Sequence, residues 1–152
     1  MREWAHDGEL EWPLLQQRDH AGMLRWMSDL NALYRAQPSL HDVDFAAEGF
    51  EWIDARDAES SVIAFVRRAR SATPVLVVCN FTPVPRYNYV LGVPTSGYWR
   101  ELLNSDAVDY GGGGIGNLGG VHAAPVAAHG RFQSLTLTLP PLATLFLART
   151  DD

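Results

Sequence analysis

Lysine is missing from these 152 residues: all twelve basic side chains are arginine, set against eighteen Asp and Glu, which leaves a formal net charge of −6. A field of that sign repels phosphate backbones and anionic lipid, so neither nucleic acid nor a membrane surface is an expected partner. The arginine bias itself carries little mechanism, because arginine also serves ordinary solvated surface. Cysteine is almost as scarce. Cys79 is the one thiol, so no intramolecular disulfide can form, and its place in the run Val75-Leu76-Val77-Val78-Cys79 makes it a small buried hydrophobe. No apolar stretch approaches the roughly 18 residues that a membrane-spanning helix needs. The opening Met1-Arg2-Glu3-Trp4-Ala5-His6-Asp7 lacks a basic segment followed by an apolar one, which argues against a secretory leader. A cytoplasmic protein is expected.

What is present points to a globular chain. The apolar fraction is 47%, with five Trp, five Tyr and six Phe spread along the sequence, enough to offset chain entropy. A chain of this length has room for one domain and a short appendage, burying roughly 68–70% of its unfolded surface. Residues 1–17 show no sustained period and read as an irregular lead-in. From Asp19 the pattern turns helical: Met23, Met27, Leu30 and Tyr34 share a stripe that Leu24 and Leu33 widen. Asp19 is the expected cap and Pro38 the stop, predicting one amphipathic helix over residues 19–36.

Beyond Pro38 the period becomes that of strands. Strands are predicted at residues 50–54, 61–68, 75–80, 88–93, 98–103, 133–139 and 143–148, with a short one near 121–126. Their spacing predicts a mainly β protein, an antiparallel sandwich preceded by one helix, with a boundary near residues 38–44. Residues 107–130 hold eight of the thirteen glycines and read as a long connection.

Little in the chain resembles a catalytic signature. Gly114-Ile115-Gly116-Asn117-Leu118-Gly119 has dinucleotide-loop spacing, but no apolar strand precedes it and no helix follows, so a surface loop is the better reading. His6, His20, His41, His122 and His129 are too scattered for a metal site, and Cys79 cannot supply a thiolate pair. No Gly-x-Ser-x-Gly elbow exists. Acids occur singly from Glu3 to Glu11 and from Asp42 to Glu59, without a signature separating a catalytic pair from solvated charge. Aromatic faces stack on sugars as readily as they fill cores. At least half of Trp52, Tyr98 and Trp99 should point inward from their strands, whereas Tyr87, Tyr89 and Tyr110 lie near loops and are the better candidates for an exposed substrate-binding platform.

Several whole phrases resemble the end of bacterial glycogen (1,4-α-glucan) branching enzymes of the α-amylase superfamily. They are Arg2-Glu3-Trp4, His6-Asp7, Asp29-Leu30-Asn31-Ala32-Leu33-Tyr34-Arg35, Asp44-Phe45 and Gly49-Phe50-Glu51-Trp52-Ile53. Further on come Asn80-Phe81-Thr82-Pro83-Val84-Pro85-Arg86, Trp99-Arg100-Glu101, Leu103-Asn104-Ser105-Asp106, Gly116-Asn117, His129-Gly130-Arg131 and residues 134–145. Ala5 departs from the family phrase, which has Asn between the Trp and the His.

The resemblance implies that residues 1–37 are the end of a (β/α)8 catalytic barrel, its last loop and helix, and that residues 38–152 are the family's all-β C-terminal domain. Trp4, His6 and Asp7 would then sit at the barrel's C-terminal face as substrate-contact candidates. It also implies a parent enzyme that cleaves an α-1,4 glucan linkage and rejoins the chain through an α-1,6 branch, in glycogen biosynthesis, without a cofactor. No residue matches the family's catalytic carboxylates, so the chain alone is expected to be inactive. Its expected partners are α-glucan, reached through the parent enzyme, and the missing barrel. The exposed helix face is expected to drive self-association or to fold back on the sandwich. A freestanding glucan-binding module is the alternative.

Overall fold

The computed structural model describes residues 6–150. Its single α-helix, α1, spans Arg18–Ala36 and is followed by eight strands: β1 (Phe50–Asp54), β2 (Val62–Arg67), β3 (Val75–Asn80), β4 (Arg86–Val93), β5 (Tyr98–Asn104), β6 (Gly120–His122), β7 (Gln133–Leu139) and β8 (Ala143–Thr150). Short 3-10 turns cover Trp12–Gln16, Pro38–Leu40, Ala47–Gly49 and Val108–Tyr110.

Every strand pair is antiparallel. Six strands form one sheet in the order β1-β2-β3-β8-β5-β6, and β4 pairs with β7 in a second sheet of two. Alternation explains the sandwich. Val62, Ala64 and Val66 of β2 are buried inward while Ile63, Phe65 and Arg67 face the other way. Leu76, Val78, Leu145, Leu147 and Trp99 extend this inner face and meet Leu91, Val93, Leu135, Leu137 and Leu139 of the smaller sheet. Each such side chain contributes roughly 1.5–3 kcal/mol by leaving water. Trp99 is fully buried, and its indole N–H donates to the Thr95 carbonyl at 3.2 Å.

The unbroken apolar run of β3 has a separate cause. Leu76 and Val78 belong to the inner core, whereas Val75 and Val77 join Leu40 and Ala148 in a second cluster on the outer face. A central strand covered on both sides needs apolar residues at every position. The outer cover comes from the end of α1 and the turn after it, where the buried Ser39 hydroxyl donates to the Thr73 carbonyl at 2.7 Å.

Two local expectations change. Asp19 is not the cap: Gln17 takes that position with an extended backbone and no side-chain cap bond, because the Trp12–Gln16 turn delivers the chain into the helix early. Asp19 instead lies in the first turn, where a carboxylate faces the positive end of the helix dipole. The short strand expected over 121–126 is confined to Gly120–His122, since Pro125 cannot donate to the ladder.

The glycine-rich connection is ordered by side chains rather than by a core. Asp106 accepts from the backbone N–H groups of Gly113 and Ile115, both at 2.9 Å. Asn117 is buried, donates to Glu101 and to the Thr138 carbonyl, and accepts the Thr138 N–H at 2.8 Å. The loop also holds α1. Gly22 lies against Tyr110 so closely that a Cβ there would come within 2.4 Å of the Tyr110 carbonyl oxygen. Trp26 meets the Tyr110 ring edge-on at 5.3 Å, and the Tyr110 hydroxyl donates to Asp29 at 2.8 Å.

Candidate functional site

The outer face of the larger sheet carries a cluster of three aromatic rings. Register places Trp52 of β1 opposite Phe65 of β2, with Phe50 two residues earlier on the same side. The three rings pack on one another: Phe50 and Trp52 meet edge-on at 4.8 Å, Phe50 and Phe65 stack at 5.1 Å, and Trp52 and Phe65 lie 5.8 Å apart. Even so, Trp52 is 52% exposed. Its ring is fixed by neighbours yet open to solvent, the arrangement a stacking platform requires.

Phe65 also lines a neighbouring groove of about 450 Å³ between the sheet and α1, closed by Leu30 and Tyr34 on the helix side and by Val77 and Phe146 on the sheet side. Arg67 stands at its edge, paired with Asp44, which also accepts from the Tyr34 hydroxyl at 3.4 Å. Cys79 faces the same groove. Burial pushes its thiol up, outweighing the opposing hydrogen bond from Thr144, so it is a poor thiolate near neutral pH.

The residues singled out from sequence lie in separate places. Trp4 is outside the described residues. His6 and Asp7 pair at 3.2 Å in the lead-in, both almost fully exposed. Tyr87 is 64% exposed on β4. Tyr89, two residues on, is half-buried against the core and its hydroxyl donates to Asp57 at 2.9 Å. Burial, that bond and the charges of Asp57 and Asp54 push its pKa far up. Two residues apart on a regular strand would mean one face; the bulge between Arg86 and Tyr89, with Asn88 at φ 56°, turns these tyrosines to opposite sides. Tyr110 is half-buried against α1, and burial together with the Asp29 bond raises it to about 12.

Sequence reasoning did not find the aromatic cluster. Of the three strand aromatics weighed there, Trp99 is buried, Tyr98 is half-buried and Trp52 points outward. The signal was parity: Phe50 and Trp52 alternate with the buried Ile53 on an edge strand.

Catalysis would need carboxyls of contrasting protonation, with one acid raised. Burial pushes Glu51 up, but hydrogen bonds and charge from Arg68 and Arg131 outweigh it and hold the group low. At Asp57 the bonds from Ser60 and Tyr89 do the same. Both displaced carboxyls are therefore firmly ionised, the wrong state for a general acid. Among the described residues no group of three or more His, Cys, Asp or Glu side chains is placed to hold a metal.

A two-sheet antiparallel sandwich of this kind, preceded by one helix, defines an all-β domain. The chain belongs to the family described as alpha amylase, C-terminal all-beta domain, whose model matches residues 52–150. It is 62% identical over 151 residues to the 1,4-alpha-glucan branching enzyme GlgB of Aromatoleum aromaticum, covering 99% of this chain and 24% of that protein. The enzymes of the same name from Albidiferax ferrireducens and Aquifex aeolicus are 57% and 53% identical, over 95% and 96% of this chain and 23% of each protein. The chain thus spans about a quarter of the length of the curated relatives it matches.

Proposed function

We propose that this chain is the C-terminal part of a 1,4-α-glucan branching enzyme, in which residues 1–37 complete the catalytic barrel and residues 38–152 form an accessory domain that braces it and contacts glucan. The observation that carries the glucan contact is the rigid, half-open Trp52 ring in its cluster with Phe50 and Phe65. A pyranose presents a face of C–H bonds that stacks on such a ring, while its rim hydroxyls stay in water. The bracing role is supported by the apolar groove and by Met23, Leu24 and Met27, which α1 leaves exposed. Bond cleavage and branch formation belong to carboxylates elsewhere in such an enzyme, and this domain positions the polymer.

Affinity electrophoresis in gels containing glycogen tests the contact. The chain is expected to be retarded, and Trp52→Ala to migrate closer to its glycogen-free mobility while remaining folded at the assay temperature, its midpoint lowered by a few degrees through loss of the Phe50 and Phe65 ring contacts. Wild-type mobility indifferent to high glycogen would overturn the reading.

A further inference from the structure

A different part of the surface repeats the logic of Trp52. Ala128 and Arg131 exchange backbone hydrogen bonds at 3.0 and 2.9 Å around His129 and Gly130, whose φ values of 50° and 72° are those of a tight type I′ hairpin turn. Phe132 follows directly and is 87% exposed.

The hairpin is held firmly. His129 accepts the Gly92 N–H on Nδ1 at 3.1 Å, which leaves its Nε2 to face Asp54 at 3.3 Å. Arg131 pairs with Glu51 and donates to the His129 carbonyl. The backbone itself lies so close to β4 that a Cβ on Gly92 would stand 2.1 Å from the Ala128 carbonyl oxygen. These polar contacts hold a turn that is followed at once by an uncovered phenyl ring.

Phe132 lines two shallow clefts. One is shared with Val93, Pro94, Thr95, Ser96 and Gln133, the other with the turn residues 127–131. A lone aromatic ring bordered by hydroxyl and amide groups suits a sugar, with its apolar face and hydroxylated rim, better than it suits an apolar protein patch.

We infer that Phe132 and its flanking clefts form a second α-glucan contact, distinct from the Trp52 face and giving the domain two grips on one long polymer. The inference rests on the glucan-contact reading above, so its test must separate the two. Glycogen affinity electrophoresis of the 152-residue chain is run with Trp52→Ala, Phe132→Ala, Phe132→Trp and the double alanine variant. Phe132→Ala is expected to weaken apparent affinity by about 3- to 10-fold, as loss of one aromatic contact should. Phe132→Trp restores it, and the double variant falls below either single one. Wild-type behaviour of Phe132→Ala beside a weakened Trp52→Ala overturns the second contact and leaves the first standing. A wild-type chain that glycogen does not retard overturns both.

Discussion

Replacing Gly22 by alanine sets two physical effects of opposite sign against each other. In a solvent-facing helix interior the change stabilises by about 1 kcal/mol, because alanine is the better helix former. Here the new methyl would lie 2.4 Å from the Tyr110 carbonyl oxygen and 2.7 Å from its carbon, both backbone atoms of a different segment. The helix must lift away. Doing so strains or breaks the Tyr110–Asp29 bond, the Trp26–Tyr110 ring contact and the exposed Arg25–Asp109 pair. The hydrogen bond is worth about 1 kcal/mol, the ring pair about 0.5–1.5 kcal/mol, and the surface ion pair next to nothing. Losing them outweighs or at least offsets the propensity gain, so Gly22→Ala should destabilise by about 0.5–1.5 kcal/mol, a drop of roughly 1–5 °C in midpoint for a domain of this size.

Two readouts follow the change: thermal unfolding by circular dichroism, and ultraviolet titration of tyrosinate. With the helix docked, Tyr110 titrates near 12, held up by burial and by Asp29. A raised folded-state value makes its contribution full below the unfolded tyrosine range near 10, and lost as pH climbs toward about 12. Undocking should return that titration toward ordinary tyrosine. A variant that melts higher than wild type, with the high-pH titration intact, would refute the docking argument.

Glu51→Gln should reduce stability above about pH 5 and shrink its loss on acidification, because the wild-type carboxyl, held below 4.5, stabilises the fold until pH falls through its lowered value; acid titration of the melting midpoint checks this. Asn117→Ala removes three side-chain bonds and leaves the part-buried Thr138 N–H without its partner, so a loss of about 1–3 kcal/mol and faster amide exchange at Thr138 are expected from urea melts and hydrogen exchange. The exposed Met23 and Met27 should make the chain self-associate, and the double change to Glu should abolish any concentration dependence of mass in sedimentation; a wild-type chain that is monomeric throughout would remove that expectation.

Much of the fold was legible in the sequence because strand alternation is a local property. The predicted limits 50–54, 75–80 and 133–139 coincide with β1, β3 and β7, and Pro, Gly and Asn punctuation marked the turns between them. The family phrases were equally local, since consecutive residues carry them. The geometry of the candidate contacts was not legible. Alternation says that Phe50 and Trp52 share a side, but only the pairing with Phe65 made that side a cluster of three rings. A single left-handed residue, Asn88, reversed the relation between Tyr87 and Tyr89. Tyr110 sits in a glycine-rich loop that reads as open, yet α1, 81 residues earlier at Asp29, covers it. Phe132 lies one residue before the predicted strand 133–139, and its exposure beside the His129–Gly130 turn shows only in the packed structure. The sequence by itself determined which residues alternate and where the chain turns, because those depend on neighbours a few positions away. Which face meets water was decided by contacts between segments far apart in the chain, and those exist only once the sheets have packed.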